Sequence, residues 1–313
     1  MRQPSIVVVG SSNTDMIVRL ERIPRPGETI LGGDFLTAAG GKGANQAVAA
    51  ARAGAHVRFI ARVGQDMFGD QAVSGFLRDG IDASYILRDS KAPSGVALIF
   101  VSAQGENSIG VASGANAHLS PADLLSTHNA FQEAGTLLVQ LETPVETVHA
   151  AVEMANRYGL RVILNPAPAM LLPDSLLRLV TILTPNQTEA ELLTGMTFTN
   201  DESAIRAAHS LRARGPSAVI ITLGARGSLV STSDSDQFVP GFPVAAVDST
   251  AAGDIYNGAL AVALEEGSSL LEAARFASAA AALSVTRMGA QPSAPSRTDI
   301  VAFLNLYAHD HLK

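Results

Sequence analysis

The sequence predicts an α/β fold in which a mostly parallel β-sheet lies between two layers of helices and a small second sheet stands off it. Three observations carry that expectation. Short apolar runs rich in Val, Ile and Leu recur along the chain, they alternate with Ala-rich segments of helical spacing, and two stretches break the alternation with hairpin-like patterns. In order, "SIVVVG", "VRFIARVG", "TLLVQLE", "RVILNP", "TILTPN" and "AVIITLG" read as strands. Most lack the polar alternation of a half-exposed strand and are expected to be buried on both faces. "ANQAVAAARAG" and "PVETVHAAVEMANRYG" read as connecting helices, the second closing at Gly159 as a helix C-cap would. Such alternation builds right-handed βαβ crossovers, hence a parallel sheet covered on both sides. The exceptions are Ile17 to Thr37, where extended segments flank Pro-Arg-Pro-Gly, and Gly95 to Val111, a hairpin around Gln104-Gly105. They predict a small sheet, inserted at about residues 14–37 and 95–111 of a single domain spanning residues 1–313, that serves as a lid, a dimer surface or edge decoration. "GSLVS" and "DQFVPGF" add short strands near an edge of the main sheet.

The 313 residues are 47% hydrophobic and 16% charged, enough apolar content for a large core and too much for a disordered chain. A formal net charge of −7 with no cluster of Lys and Arg argues against a nucleic-acid surface, so the expected partner is a small molecule. The absence of cysteine excludes disulfides, thiolate metal sites and a cysteine nucleophile, and no HExxH-like spacing offers a histidine zinc site. The apolar run in "MRQPSIVVVGSSNTD" is too short for a signal core or a membrane span, which points to a cytoplasmic protein with no membrane partner.

Ligands of parallel sheets gather at the carboxyl ends of the strands. Asn13 and Asp15 follow the first strand two residues apart, a spacing that points both side chains the same way on an extended chain. They suit either a grip on a hydroxylated ligand or an Asx turn that ends the strand. Next, Gly40, Gly41 and Gly43 suit a close approach of backbone to ligand, with Lys42 and Asn45 as neighbours at a helix start. This loop is not a Walker A motif, because Leu36 stands where the first glycine belongs and Gly43 follows the lysine. Nor is it GxGxxG, because Gln46 replaces the third glycine. Glu142 ends a central strand, either as a ligand contact or as a cap for the next helix. Asn186 and Glu189, three apart, fit a capping box that begins with Asn, or else a phosphate contact and a water-mediated Mg²⁺ ligand. Thr222, Gly224 and Gly227 fit a hairpin turn or a nucleotide laid across bare backbone. In "VDSTAAGDIYNGAL", Ala251, Ala252 and Gly253 precede Asp254 at a helix start. Asp254 is then either a helix-start acceptor or a working carboxylate beside an anion held by bare N–H groups.

Taken together and in this order, these segments resemble the PfkB-type carbohydrate kinases, and their ribokinase branch in particular, from "GSSNTD" almost to the C-terminus. "GGKGANQAVAAARAGAHVRFIARVG" resembles the family's N-terminal signature and "DSTAAGDIYNGAL" its C-terminal one. "NPAPA", "TPNQTEAELLTG", "ITLGARG" and "VTRMGAQPS" resemble the branch. The resemblance implies a ribokinase-like three-layer α/β/α core with a β-sheet lid, and transfer of the ATP γ-phosphoryl to the O5 hydroxyl of D-ribose. It implies Asp254 as the base and the backbone of Ala251, Ala252, Gly253 and Asp254 as the anion hole. Sugar contacts are then Asn13, Asp15, Gly41, Lys42, Asn45 and Glu142, with Thr14, Gly43 and Ala44 between them, and Asp254 itself. Nucleotide contacts are Asn186, Glu189, the turn of Thr222, Leu223, Gly224, Ala225, Arg226 and Gly227, then Gly253, Asp254 and Ser278. The implied cofactors are ATP, Mg²⁺ and a monovalent cation, K⁺, at positions matching Asp248, Thr250, Ser284, Arg287, Gly289 and Ser293. A homodimer through the lid strands is expected, since paired edges solve the exposed-edge problem. There are three departures from the common pattern: Ser278 is small beside the expected adenine, Ile255 and Tyr256 replace the usual Thr and Phe, and Ala251 and Ala252 stand where many other branches have a Gly. Two alternatives accompany this reading: a deoxyribokinase or other PfkB-type sugar or nucleoside kinase, and a non-catalytic sugar-binding regulator.

Overall fold

The recurrent apolar runs form a nine-stranded sheet. The structure is a computed structural model and describes residues 3–310. Its strands are β1 (Ser5–Val9), β2 (Asn13–Arg19), β3 (Phe35–Gly40), β4 (His56–Gly64), β5 (Ile86–Asp89), β6 (Gly95–Val101), β7 (Asn107–Ala112), β8 (Thr136–Val139), β9 (Arg161–Leu164), β10 (Ile182–Leu183), β11 (Ala218–Thr222), β12 (Gly227–Ser231) and β13 (Asp236–Pro240). The helices are α1 (Lys42–Arg52), α2 (Met67–Arg78), α3 (Pro121–Ser126), α4 (Asn129–Gln132), α5 (Val145–Arg157), α6 (Asp174–Leu177), α7 (Gln187–Thr194), α8 (Asp201–Ala213), α9 (Ala252–Glu265), α10 (Leu270–Ser284) and α11 (Arg297–Asp310).

The main sheet runs β13-β12-β11-β10-β9-β8-β1-β4-β5, parallel from β11 to β5, with β12 and β13 antiparallel at one edge. From β1 the chain steps outward through β4 and β5, then returns to the other side of β1 and steps outward again from β8. That reversal opens a crevice between the carboxyl ends of β1 and β8, the switch point where such sheets hold ligands. Successive side chains of a strand face opposite ways, so β1 feeds two cores at once. Ile6 and Val8 pack with α1, α9 and α10, while Val7 and Val9 pack with α5 and α8 on the far face, all four fully buried. This double burial is why these strands read as unbroken apolar runs.

The small sheet, ordered β3-β2-β6-β7, departs from the sequence expectation at one end. The β6–β7 hairpin lies where predicted, with Gly105 at φ 82° in its turn. However, β2 begins at Asn13, only three residues after β1, and pairs with both β3 and β6. Asn13 and Asp15 therefore sit inside a paired lid strand and form no strand-ending Asx turn. Pro-Arg-Pro-Gly turns as expected, with Glu28 N–H donating to Arg25 O at 3.0 Å, but inside a connection, residues 20–34, that lies outside any strand. Large apolar side chains stay exposed on this sheet, Phe35 at 61%, Ile109 at 54% and Val111 at 52%.

Candidate active site

The two walls of the crevice are tied together by polar contacts. Ser11, just past β1, donates its hydroxyl to Glu142 Oε2 at 2.6 Å, and the backbone N–H of Lys42 donates to the same oxygen at 3.0 Å. Glu142 thus caps the start of α1 from across the crevice and leaves α5 to begin at Pro144 without a side-chain cap. The glycines expected to admit a ligand also serve the chain's own close approaches. Gly41 sits at φ 89°, and a Cβ on it would lie 2.7 Å from the Asn13 nitrogen; a Cβ on Gly43 would lie 2.6 Å from the Ser11 nitrogen. Ala44 is fully buried and donates its N–H to Ser11 O at 2.9 Å. Gly43 and Ala44 therefore frame the site from behind, while pleating turns Thr14 to the opposite face from Asn13 and Asp15.

Asp254 is the third residue of α9 and is only 5% exposed. Its carboxylate makes no cap. Instead Oδ2 accepts from Asn45 Nδ2 at 3.0 Å and Oδ1 from Gln46 Nε2 at 2.9 Å, both on α1. The helix begins at Ala251, whose φ of 60° makes it the only non-glycine with positive φ among the described residues. Backbone strain of this kind collects at working sites. The N–H groups of Ala251, Gly253 and Asp254 have no protein acceptor among the described residues, whereas Ala252 donates to Ser249 O at 3.2 Å. Of the four residues expected to offer bare N–H groups, only Ala252 spends its own within the protein. Nothing lies within 4 Å of a Cβ built on Gly253, so the approach to it is open.

Gln46 is the residue that sequence reasoning missed. Fully buried, it accepts from Gln140 Nε2 at 2.5 Å and donates to Asn165 Oδ1 at 3.1 Å as well as to Asp254. Asn257 Nδ2 in turn holds Gly253 O at 2.8 Å and its Oδ1 accepts from Thr184 at 2.6 Å, so amides and hydroxyls from β8, β9 and β10 fix the start of α9. A glutamine on the alanine-rich, core-facing side of a helix was the available signal, since such a group is buried only when hydrogen-bonded.

Three carboxylates and one ammonium share this space. Burial, then Glu142, then Asp254 push the Asp15 carboxyl up to about 6. Burial also raises Asp254, against the opposing pull of Lys42 and the Asn45 and Gln46 amides, and it outweighs the ionised form that a helix N-terminus favours. Lys42 is raised because Asp254 holds its charge more strongly than burial opposes it.

At the neighbouring strand ends both bland readings are realised. Asn186 and Glu189 close a reciprocal capping box, with Glu189 N–H to Asn186 Oδ1 at 2.9 Å and Asn186 N–H to Glu189 Oε2 at 2.8 Å. Thr222 donates its N–H to Pro185 O at 2.9 Å, bringing Asn186 beside the β11–β12 turn, where Gly224–Arg226 form a short 3-10 helix flanked by Leu223 and Gly227. Ala225 and Gly224 are exposed there, and Arg226 pairs with Asp201 at 2.8 Å. Ser278 is buried with its hydroxyl unpartnered. Of the six positions expected around a cation, three come together: Asp248 accepts from Thr250 N–H at 2.9 Å, Thr250 Oγ1 at 2.6 Å and Gly289 N–H at 2.8 Å. Burial opposes its charge, but these donors hold its carboxyl below the usual range. The hydroxyls of Ser284 and Ser293 turn to Ala281 O and Ala290 O, and Arg287 faces Asp299 at 3.7 Å, so only the backbones of these three are left for an ion. Among the described residues no group of three or more His, Cys, Asp or Glu side chains is placed to hold a metal ion.

Residues 3–297 match the model of the pfkB family carbohydrate kinases. The chain belongs to the PfkB family. Within it, the chain is 46% identical over 300 residues to a protein of Haemophilus influenzae named ribokinase, covering 96% of this chain and 98% of that one. A deoxyribokinase of Salmonella typhimurium is 38% identical over 302 residues, covering 96% and 99%. The structure of Arabidopsis thaliana ribokinase complexed with ribose and ATP superimposes with a TM-score of 0.90 at 35% identity, covering 97% of this chain and 99% of that one. The three-layer core with its four-stranded lid sheet is thus the PfkB architecture that the sequence predicts, and no helix among the described residues is long and apolar enough to cross a membrane.

Proposed function

We propose that this PfkB kinase transfers the γ-phosphoryl of ATP to the O5 hydroxyl of D-ribose, with Asp254 as the base. One observation carries the reading: a buried carboxylate, held by two amides, stands next to three unpartnered N–H groups at a helix start. Raised proton affinity suits Asp254 to take the hydroxyl proton as the oxygen attacks phosphorus in line and ADP departs. The bare N–H groups of Ala251, Gly253 and Asp254 stabilise the charge on the transferring oxygens. Asn13, Asp15, Lys42, Asn45 and Glu142 orient the sugar, with Gly41 shaping the turn beneath it. The nucleotide lies along Asn186, Glu189 and the turn from Thr222 to Gly227, reaching Ser278.

Mg²⁺ would come with the nucleotide and neutralise charge on its phosphates, and Glu189 is the residue that would hold it, through water. The oxygen-rich loop around Asp248, Thr250 and Gly289 fits a hard monovalent cation such as K⁺, whose charge would strengthen the anion hole. Two copies of the chain pair through the exposed lid strands, covering Phe35, Ile109 and Val111. The cytoplasm is the proposed site of the reaction.

Asn13 favours ribose over the deoxyribose substrate of the second reading, because a polar side chain there meets a hydroxyl that deoxyribose lacks. Coupled ADP release with ribose and 2-deoxyribose, in K⁺ and then in Na⁺, tests the proposal. K⁺-stimulated turnover with higher kcat/KM on ribose is expected; preference for deoxyribose overturns the substrate. Asp254→Asn is expected to bind sugar and lose turnover by about three orders of magnitude or more, and near-normal turnover removes its role.

A further inference from the structure

Asn116 belongs to no motif singled out in the sequence, yet it is 1% exposed and makes three hydrogen bonds at the point where the chain leaves β1 for the lid. Its Oδ1 accepts from Ser12 N–H at 2.9 Å, and its Nδ2 donates to Ser12 O at 3.1 Å and to Asn13 Oδ1 at 2.8 Å. The two partners on Ser12 are backbone groups, one a donor and one an acceptor, so they fix which end of the Asn116 amide is oxygen and which is nitrogen. Asn116 must then meet the oxygen of Asn13. The consequence falls on Asn13: its oxygen is engaged, and its Nδ2 has no protein acceptor among the described residues. Register places Gly95 beside Asn13, where a Cβ would lie 2.2 Å from Asn13 Oδ1 and 2.3 Å from Asn116 Nδ2, so the missing side chain makes room for this contact.

Asn13 shares a strand face with Asp15, whose carboxylate senses both Glu142 and Asp254 across the crevice. We propose that Asn116 is a positioning residue for sugar specificity: it locks Asn13 so that the pocket receives an N–H donor beside the acceptor of Asp15. A hydroxyl has one proton to give, and with Asp15 taking it the oxygen needs a donor, which Asn13 supplies. A sugar lacking that hydroxyl leaves the donor unpaired. The inference rests on the ribose kinase reading and adds the residue that gives Asn13 its polarity.

Asn116→Asp keeps the acceptor for Ser12 N–H and replaces the NH₂ with an oxygen facing Ser12 O and Asn13 Oδ1. Asn13 is then driven to rotate its NH₂ toward the new carboxylate and to present its carbonyl to the sugar. The kcat/KM ratio of ribose to 2-deoxyribose is expected to fall about tenfold, chiefly through the KM for ribose, as a lost hydrogen bond to a buried polar group does. A merely structural role lowers turnover of both sugars together and leaves the ratio unchanged. Asn13→Leu calibrates the effect, and in that background Asn116→Asp should change the ratio no further. If thermal melting shows that Asn116→Asp does not fold, Asn13→Asp decides: it keeps an acceptor for Asn116 but has no NH₂, and the ratio should fall as well.

An unchanged ratio in folded Asn116→Asp, or in Asn13→Asp where the first does not fold, overturns the proposal while leaving the kinase reading intact. Wild-type protein that phosphorylates neither sugar, or prefers deoxyribose, overturns the ribose reading and the proposal with it.

Discussion

Asp15 is held in a position that its own charge opposes, and Asp15→Asn tests this. Raising its carboxyl from 3.8 to about 6 corresponds to about 3 kcal/mol at about 1.4 kcal/mol per decade of proton affinity. With 9% exposure, little of that is lost to solvent screening. Between the two values the folded protein holds a proton that the unfolded chain has released, so stability falls as pH rises through this window and levels off above it. The cost should be about 3 kcal/mol at pH 8 and roughly half that at pH 5. Asparagine has nearly the same shape and no charge, so the variant should be more stable than wild type by up to that amount at pH 8, with the advantage shrinking as pH falls. Urea unfolding of both proteins without ligand from pH 5 to pH 8 reads the difference, and ribose titration of the same samples should show weaker binding by the variant. A stability difference independent of pH refutes the electrostatic account. A stabilised variant that binds ribose normally refutes the role of the carboxylate in sugar recognition.

The two glycines at helix starts should separate packing from chemistry. Gly43→Ala forces a Cβ against Ser11 and is expected to cost about 1 to 3 kcal/mol in unfolding free energy. Gly253→Ala meets open space, should keep stability within about 1 kcal/mol, and should lower kcat about tenfold or more by placing a methyl at the bare N–H groups. Asp248→Ala should abolish the difference in rate between K⁺ and Na⁺ while leaving ribose binding intact, as measured by calorimetry. Ile109→Lys places a charge on the exposed lid sheet and should convert a dimer to a monomer in sedimentation; a wild-type monomer at micromolar concentration removes the dimer proposal.

The strands were legible because burial on two faces suppresses polar alternation, as in β1 and β8, and the reversal of strand order then marks where the site must lie. The glycines at 40, 41 and 43 were found, but their close approaches to β1 and β2 were not, because a ligand and a neighbouring strand demand the same missing Cβ. Asn13 and Asp15 were located, yet a local pattern cannot distinguish an Asx turn from a lid strand whose partners are Gly40, Ala38, Gly95 and Ala97. Asp254 stayed ambiguous for a similar reason: its hydrogen-bond partners are far away in sequence. Gln46 and Asn116 escaped because their contacts with Asp254 and Ser12 span 208 and 104 positions.

Those separations also bear on synthesis. As the chain is made from its N-terminus, Asn45 and Gln46 are present long before the carboxylate they hold, which lies 209 and 208 residues further on. No partially made chain ending before α9 contains both halves of the constellation, and in one that folded the amides would be buried facing an absent acceptor, which disfavours the compact state. With Asp254 as the proposed base, phosphoryl transfer is one of the last capacities the nascent chain acquires. On that proposal, a chain stopped upstream of α9 lacks the base altogether.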